Sequence, residues 1–217
     1  MSYYDQLWDN HRHKQIIDWI NPNSIVLDFG CGNGQLSNYL MKYKDCQIVG
    51  IEKESELAKI ARNHGFKVIC SDIEDPKLLN FIPSFNYDSI IFADVLEHLV
   101  SPWMILNKCH RLLKPGGHLI ISIPNIVHFS MRLRFLIGRF EYSDHGGIRD
   151  IGHLRFFTYY SVKRMFAETG YFIEDEFYRW RFMNHDQWLP SQQILRILTE
   201  TFPNLLAYQM LYKLKYR

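Results

Sequence analysis

The sequence predicts an α/β fold in which a doubly wound, mostly parallel sheet is covered by helices on both faces. Short apolar runs of strand length alternate with segments of helical period along most of the 217 residues. A glycine-rich turn over residues 30–34 follows the first apolar run, and turn signals close several of the later helical segments. Strands that alternate with helices form βαβ units, which build a parallel sheet between two helical layers.

Predicted helices and strands alternate through the first part of the chain. An aromatic N-terminal segment (1–20) is predicted to be helical from residue 3 onwards. Five apolar runs are predicted strands: 24–29, 47–52, 67–70, 87–93 and 118–124. Three segments of helical period are predicted helices: 35–43, 55–65 and 102–113. The first of them carries four large side chains on one face: Leu36, Tyr39, Leu40 and Tyr43. Gly65 is predicted to end the second helix, and the turn "KPGG" follows the third.

Residues 125–157 depart from this alternation and are predicted to be an insertion after the fifth strand. They contain a Gly-Gly pair and five arginines without a clean period: Arg132, Arg134, Arg139, Arg149 and Arg155. The chain resumes with a predicted helix over 159–169, ended by Gly170, and a strand over 171–178. The tail, 207–216, fits either a basic amphipathic helix or a last strand, because the spacing of its tyrosines suits both periods.

The composition is that of an ordinary globular protein, so residues 1–217 are interpreted as a single domain. A formal net charge of +2 gives no general reason to expect binding to nucleic acid or to a membrane. No basic segment followed by an apolar stretch opens the sequence, and no apolar run approaches the roughly 18 residues of a membrane span. Four cysteines without C-x-x-C spacing predict reduced, buried thiols and a cytoplasmic protein: Cys31, Cys46, Cys70 and Cys109.

The turn "DFGCGNG" predicts a binding site for a cationic cofactor. Gly30, Gly32 and Gly34 follow a strand, where glycines let a ligand approach the backbone and the next helix offers free N–H groups. Dinucleotide-binding turns have a third glycine where this chain has Gln35. Asp28 would repel a pyrophosphate but would attract S-adenosylmethionine, which carries a sulfonium and an ammonium and has no phosphate. The sequence therefore predicts S-adenosylmethionine rather than NAD.

Two further acids follow the next two predicted strands. Glu52 ends the second strand, where a carboxylate can accept hydrogen bonds from both ribose hydroxyls. Asp72 follows the third strand and can accept from the adenine amino group, with Ile73 covering the ring. Each acid alone is commonly a helix cap, and such a glycine turn is often only a tight turn. Three acids at three successive strand ends favour the cofactor site.

Five segments of the chain resemble, in order, the motifs of class I S-adenosylmethionine-dependent methyltransferases. They are "VLDFGCGNGQLSNYL", "GIEKE", "SDIED", "YDSIIFADVLEHL" and "LLKPGGHLIISIPN", within about residues 20–125. The later "GHLRFFTYYSVKRMFAETGYFIEDE" is similar to the branch with small-molecule and bacterial polysaccharide-associated methyltransferases, which extends the resemblance to about residue 178.

The resemblance implies a Rossmann-like sheet of seven strands whose last strand is antiparallel, and it therefore favours a strand over 207–216. It also implies which residues line the cofactor: Asp28, Gly30, Gly32, Glu52, Asp72 and Ile73, with Ala93 and Asp94 beside them. Three N-terminal aromatic residues either close over the site or pack the first helix: Tyr3, Tyr4 and Trp8.

The activity that the resemblance implies is methyl transfer, and we expect O-methylation of a small-molecule or saccharide acceptor. A hydroxyl acceptor needs a base, and the unperturbed histidine pKa of about 6.5 suits proton removal. His98 follows the fourth strand, and His153 stands where the insertion rejoins the domain, so both are candidate bases. The alternative roles are structural: His98 caps its helix, and His153 holds the insertion against the core. The expected reaction uses no metal.

Two other functions remain open from the sequence. One is a non-catalytic cofactor-binding partner protein. The other is a metal-dependent RNA 2′-O-methyltransferase, because "DVLEH" and the later histidine are similar to the metal ligands of small-RNA end-methylating enzymes. In this chain the four positions are Asp94, Glu97, His98 and His153, although that family has Glu where Asp94 stands. The insertion itself is either a lid whose arginines bind an anionic acceptor group or an ordinary solvent-facing helix. The oligomeric state is left open.

Overall fold

The computed structural model describes residues 11–83, 86–144, 146–180 and 192–217. These residues form one seven-stranded sheet in the order β3-β2-β1-β4-β5-β7-β6. The strands are β1 (Ile25–Phe29), β2 (Gln47–Glu52), β3 (Lys67–Cys70), β4 (Tyr87–Ala93), β5 (Leu113–Pro124), β6 (Tyr171–Trp180) and β7 (Ala207–Tyr216). Because β7 pairs antiparallel with both β5 and β6, it alone runs against the other six. The predicted doubly wound α/β sheet with an antiparallel last strand is confirmed.

Eight α-helices are present in the described residues. They are α1 (His11–Trp19), α2 (Gln35–Lys44), α3 (Ser55–Arg62), α4 (Pro102–Cys109), α5 (Phe129–Leu136), α6 (Tyr159–Glu168), α7 (Gln192–Thr201) and α8 (Pro203–Leu206). Two 3-10 turns, Leu78–Asn80 and Leu96–His98, precede and follow β4. Among the described residues, no helix is both long and apolar enough to cross a membrane.

The sheet separates two apolar cores, as its continuous apolar strands require. Successive side chains of a strand point to opposite faces, so Ile90 and Phe92 of β4 enter one core and Ile91 enters the other. Helices α4 and α6 cover the first core, and α1, α2 and α3 cover the second. A strand buried on both faces needs apolar residues at every position, which explains the unbroken runs in the sequence.

The predicted helix over 102–113 and the strand after it have different boundaries in the structure. Helix α4 ends at Cys109, and β5 begins at Leu113, which pairs with Tyr87. The "KPGG" segment lies within β5, where the register shifts before His118 pairs with Ser89. A Cβ on Gly117 would lie 2.9 Å from the Tyr87 carbonyl oxygen, so glycine permits this close approach. Helix α3 likewise ends at Arg62, before the predicted Gly65.

Of the four large side chains predicted on one face of α2, Leu36 and Leu40 are buried, whereas Tyr43 at the end of the helix is 58% exposed and contacts Tyr39. The prediction that the cysteines are buried is wrong in part. All four cysteines are free, yet Cys70 is exposed, because it is the last residue of the short outer strand β3. Tyr3, Tyr4 and Trp8 lie outside the described residues.

The carboxyl ends of the parallel strands define the edge where a ligand can bind. The chain leaves β1 towards β2 on one side and reaches β4 on the other, so the strand order reverses between β1 and β4. Phe29 is level with both Ile51 and Phe92, so β1, β2 and β4 end at the same edge. A crevice at such a switch point is the usual ligand site of an open α/β sheet.

Candidate active site

The glycine turn after β1 forms an open backbone cradle. Gly30 and Gly32 have φ values of +67° and +55°, a region that side chains other than glycine rarely adopt. A Cβ on Gly30 would lie 2.6 Å from a methyl carbon of Val95, whereas a Cβ on Gly32 would meet nothing within 4 Å. Gly30 is therefore required by packing. Gly32 faces open space, where a ligand can approach the backbone.

Asp28 lies beneath this turn as a buried carboxylate. It is 2% exposed and accepts a 2.6 Å hydrogen bond from the Ser37 hydroxyl of α2. Burial, with a smaller contribution from the charge of Glu52, raises the pKa of Asp28 to about 7 against the lowering effect of the Ser37 hydrogen bond. A cation beside Asp28 would favour its charged form. The predicted preference for a positively charged ligand is thus compatible with this environment.

Glu52 holds the turn in place. Its Oε2 accepts from the Gly32 N–H at 2.8 Å, and its Oε1 accepts from the Glu54 N–H at 2.9 Å. Each carboxylate oxygen can accept a second hydrogen bond, so this buried acid can also receive hydroxyl donors from a ligand. The sequence predicted that Glu52 contacts a ligand. The structure shows in addition that Glu52 accepts a hydrogen bond from the glycine turn.

Asp72 and Ile73 lie beyond β3 at the same edge. Asp72 is exposed, and its Oδ1 accepts from the Glu74 N–H at 2.8 Å, which is an Asx turn and not a helix cap, since no helix begins there. Ile73 is half-buried against the first core. Glu74, which the sequence did not single out, accepts from the backbone N–H groups of Val100 and Ser101. Only its position among the acids of "SDIED" could have indicated it.

Asp94, which follows Ala93 at the end of β4, has an unusual backbone conformation. Its φ is +57°, which costs a non-glycine residue about 1 kcal/mol or more and is common at functional sites. The Ser122 hydroxyl donates to its Oδ1 at 2.7 Å, and the Gln209 amide donates to the same oxygen. Gln209 is a site residue that no sequence motif indicated.

The two predicted histidines lie side by side. The ring centroids of His98 and His153 are 4.8 Å apart. His98 Nδ1 lies 2.9 Å from the Gly152 carbonyl oxygen, which can only accept, so Nδ1 carries the proton and Nε2 has the lone pair. His98 is half-buried, whereas His153 is only 7% exposed. Burial lowers the pKa of His153, and the neighbouring His98 lowers it further.

Glu97 lies next to this pair of histidines. Its carboxylate is buried at 1% exposure, and Oε1 lies 3.9 Å from His153 Nε2. Within the described ranges, Glu97, His98 and His153 each offer one possible metal-ligand atom, and these atoms lie within 4.8 Å of one another. Asp94, the fourth position of the metal-binding alternative, does not belong to this group and is held by Ser122 and Gln209.

The insertion (residues 125–157) is fixed at its C-terminal end. The Glu97 carbonyl oxygen accepts from the backbone N–H groups of Leu154 and Arg155, at 2.8 and 2.9 Å. The Arg155 guanidinium donates to the Val100 carbonyl oxygen. The N-terminal part of the insertion contains α5, so a helix is present there, as one of the two alternatives left open by the sequence supposed.

Several insertion arginines bind the protein's own backbone. Arg132 donates to the carbonyl oxygens of Val127 and Asn204, and Arg149 donates to that of Glu141. These contacts give both arginines a structural role. Three of the four exposed positions of α5 are instead large and apolar: Leu133, Phe135 and Leu136.

The fold and the site at its switch point define the class of protein. The structure of an S-adenosylmethionine-dependent methyltransferase from Archaeoglobus fulgidus aligns with a TM-score of 0.65 and 19% identity over the whole of both chains. A TehB-like methyltransferase from Corynebacterium glutamicum aligns with a TM-score of 0.60 and 15% identity, over 99% of this chain and 96% of that one. The fold is therefore that of the class I S-adenosylmethionine-dependent methyltransferases.

A family model described as a methyltransferase domain matches residues 3–176, and the chain belongs to this family. Curated relatives include a ubiquinone biosynthesis O-methyltransferase of Xylella fastidiosa, 33% identical over 143 residues, which are 57% of this chain and 56% of the relative. One of Xanthomonas oryzae is 35% identical over 103 residues, 46% of this chain and 43% of the relative. The matches thus span about half the length of these relatives. The resemblance found in the sequence is confirmed.

Asp28→Asn is expected to raise the free energy of unfolding of the ligand-free protein at pH 8, by roughly 4 kcal/mol at most. The pKa of Asp28 rises from 3.8 to about 7 on folding. The resulting penalty is absent below pH 3.8, grows between the two values and is complete above pH 7. The amide oxygen of Asn can still accept from Ser37.

Denaturant unfolding of both proteins at pH 5 and pH 8 measures this effect, and the gain should be larger at pH 8. Glu56→Gln, at an exposed acid of α3, is the matched control and should show no such pH-dependent gain. An equal change at both pH values would contradict the buried charge on Asp28.

Proposed function

We propose that the chain is an S-adenosylmethionine-dependent methyltransferase that methylates a hydroxyl oxygen of a small-molecule acceptor. The observation that carries the proposal is the crevice at the switch point, where the open cradle at Gly32 lies beside the buried acids Asp28 and Glu52. These acids would repel a pyrophosphate and attract a cation. S-adenosylmethionine carries two positive groups and no phosphate, so it fits this set of residues.

Cofactor binding is assigned to residues that follow the carboxyl ends of β1 to β4. The proposed set is Asp28, Gly30, Gly32, Gly34, Glu52, Asp72, Ile73, Ala93 and Asp94. Asp28 would face the cationic end of the ligand, and Glu52 would accept from its hydroxyl groups while it holds the turn. Asp72 is the least buried member of the set, so its contribution to affinity should be the smallest of the three acids.

His98 is the better placed of the two candidate bases. When bound, the cofactor supplies an electrophilic methyl group on a sulfonium whose leaving group is neutral. The chain must then orient the acceptor oxygen in line with that methyl group and remove its proton. His98 is half-buried and has its lone pair on Nε2, whereas His153 is more deeply buried and contacts His98 and Glu97. We assign proton removal to His98 and positioning to His153.

An O-methyl acceptor of small size is supported by two observations. The curated relatives, which the alignments cover over about half of their length, are named ubiquinone biosynthesis O-methyltransferases. The formal net charge of +2 gives little attraction for a nucleic acid. A saccharide is the second proposed acceptor, because it carries hydroxyl groups of the same chemistry.

The free thiols Cys46 and Cys109 favour a cytoplasmic location.

Calorimetric titration tests the cofactor assignment. The protein should bind S-adenosylmethionine and should not bind NAD measurably. Asp28→Asn should weaken binding of S-adenosylmethionine at least tenfold, about 1.4 kcal/mol, because the neutral amide no longer attracts the ammonium and sulfonium groups. Glu56→Gln removes an equal charge from α3 and should leave the affinity unchanged. Unchanged affinity in Asp28→Asn would refute the proposed role of this acid.

Metal-assisted O-methylation is a second candidate function, because the ligand atoms of Glu97, His98 and His153 lie within 4.8 Å of one another. One carboxylate and two imidazoles suit a divalent transition metal. The hydrogen bond from His98 Nδ1 to the Gly152 carbonyl also resembles the way metal-binding histidines are usually oriented. A cation held there would polarise the acceptor hydroxyl and would replace the base.

A chelator and one substitution separate the two mechanisms. In His98→Asn the side-chain amide can still donate to the Gly152 carbonyl, but the lone pair of Nε2 is lost. If His98 is the base, turnover should survive EDTA and fall at least a hundredfold in His98→Asn, while the affinity for S-adenosylmethionine stays unchanged. Loss of turnover in EDTA, restored by manganese or magnesium, would refute the metal-free mechanism and support the metal-assisted one.

The insertion is proposed to act as a lid over the acceptor. Its C-terminal end is bonded to Glu97 and Val100 next to the candidate base, while the segment around Ile137 is exposed. Such an arrangement lets the middle of the insertion change position while one end stays attached.

Limited trypsin digestion, with and without S-adenosylmethionine, tests the lid. Cleavage between residues 130 and 150, after Arg134 or Arg139 for instance, should slow when the cofactor is bound. NAD at the same concentration is the control and should have no effect. Equal cleavage rates with and without S-adenosylmethionine would favour an ordinary solvent-facing helix over a lid.

A further inference from the structure

The side chain of Gln209 reaches the candidate active site from the last strand. Gln209 is 5% exposed, and its Nε2 donates to Asp94 Oδ1 and lies 3.4 Å from the Ser122 hydroxyl oxygen. The Ser122 hydroxyl donates to the same Asp94 oxygen at 2.7 Å. Asp94 directly follows β4, and Ser122 and Gln209 lie in β5 and β7, so three neighbouring segments contribute to one polar cluster in which Ser122 and Gln209 are buried and Asp94 is half-buried.

The antiparallel direction of β7 explains how Gln209 reaches this edge. The N-terminal end of β7 lies beside the carboxyl end of β5, where Gln209 pairs with Pro124. Asn125 then fixes this end of β7. Its side-chain amide donates to the Ala207 carbonyl oxygen at 2.9 Å, and its backbone N–H donates to the Tyr208 carbonyl oxygen at 3.1 Å. Gln209 also pairs with Arg179 of β6, so its backbone is held between two strands and its side chain leaves the sheet in a defined direction.

Asp94 needs such a support because its conformation is strained. Its φ of +57° is sparsely populated for aspartate, and the surrounding structure has to maintain it. The Asp94 N–H donates to the Ser122 carbonyl at 3.1 Å, which fixes the backbone. Two donors on Oδ1 then fix the rotation of the carboxylate. Both donors are neutral, so they orient Asp94 without cancelling its negative charge.

We propose that Gln209 is a positioning residue that holds the Asp94 carboxylate towards the sulfonium of the methyl donor. This inference rests on the proposed function, in which Asp94 lies beside the cofactor. The crevice between β1 and β4 brings Asp94 next to the glycine turn, since Val95, the next residue, packs directly on Gly30. A carboxylate fixed there attracts a positively charged sulfur and has less effect on a neutral one.

The test compares S-adenosylmethionine with S-adenosylhomocysteine, whose sulfur is uncharged, by calorimetric titration of Gln209→Leu. We expect at least a tenfold loss of affinity for S-adenosylmethionine and a clearly smaller loss for S-adenosylhomocysteine. Gln209→Met keeps a side chain of similar length but removes the amide donor, and it should also lower the ratio of the affinity for S-adenosylmethionine to that for S-adenosylhomocysteine. Gln47→Leu, at an exposed position of β2, should leave both affinities unchanged.

A double-mutant cycle tests whether Gln209 acts through Asp94. In an Asp94→Asn background, Gln209→Leu should cause no further loss of affinity for S-adenosylmethionine. Equal losses for the two ligands, or additive effects of the two substitutions, would assign Gln209 a purely structural role and overturn the inference. If Gln209→Leu does not fold, Gln209→Met gives the same comparison of ligands. Failure of the unmodified protein to bind S-adenosylmethionine would instead refute the proposed function itself.

Discussion

The structure around the crevice depends on two carboxylates buried at neighbouring strand ends. Burial is the main cause that raises the pKa of Asp28 to about 7, and the charge of Glu52 adds to it. Glu52 accepts from the N–H groups of Gly32 and Glu54, so it helps to hold the glycine turn, together with the backbone bonds from Gly30 and Cys31 to the Ile51 carbonyl oxygen. Asp28 accepts a hydrogen bond from the Ser37 hydroxyl. The fold therefore keeps negative charge in a place where a cationic ligand relieves the cost.

The candidate base and the insertion depend on the same contacts. The Gly152 carbonyl belongs to the insertion, and its bond to His98 Nδ1 fixes which ring nitrogen carries the lone pair. The Glu97 carbonyl oxygen accepts from the N–H groups of Leu154 and Arg155 in the insertion, while the Glu97 side chain lies next to His153. A movement of this end of the insertion would change the orientation of His98. The proposed lid and the candidate base would therefore be coupled through residues 150–155.

The sequence predicted the parts of the fold that depend on local pattern. Strands β1 to β4 were placed within a residue because each is an apolar run between turn-forming residues. Helix 102–113 was predicted too long because its helical period continues into residues that leave the helix to approach and pair with Tyr87. Gln209 could not be predicted, since it lies 115 residues from Asp94 and beyond the segment that the family model matches. Contacts of this kind depend on which strands become neighbours.

The two sides of the crevice differ in how far the matched sequence covers them, and this limits what similarity can indicate. The side of β1 and β2, with the glycine turn and the buried acids Asp28 and Glu52, lies wholly within the matched segment 3–176. The opposite side is formed by the end of β4, by the insertion and by the start of β7, and of these β7 lies beyond that segment. The glycine turn and its acids bear on the methyl donor. In the proposed function the acceptor contacts the second side, next to the half-buried His98, so we expect acceptor choice to depend on the insertion and on the start of the last strand.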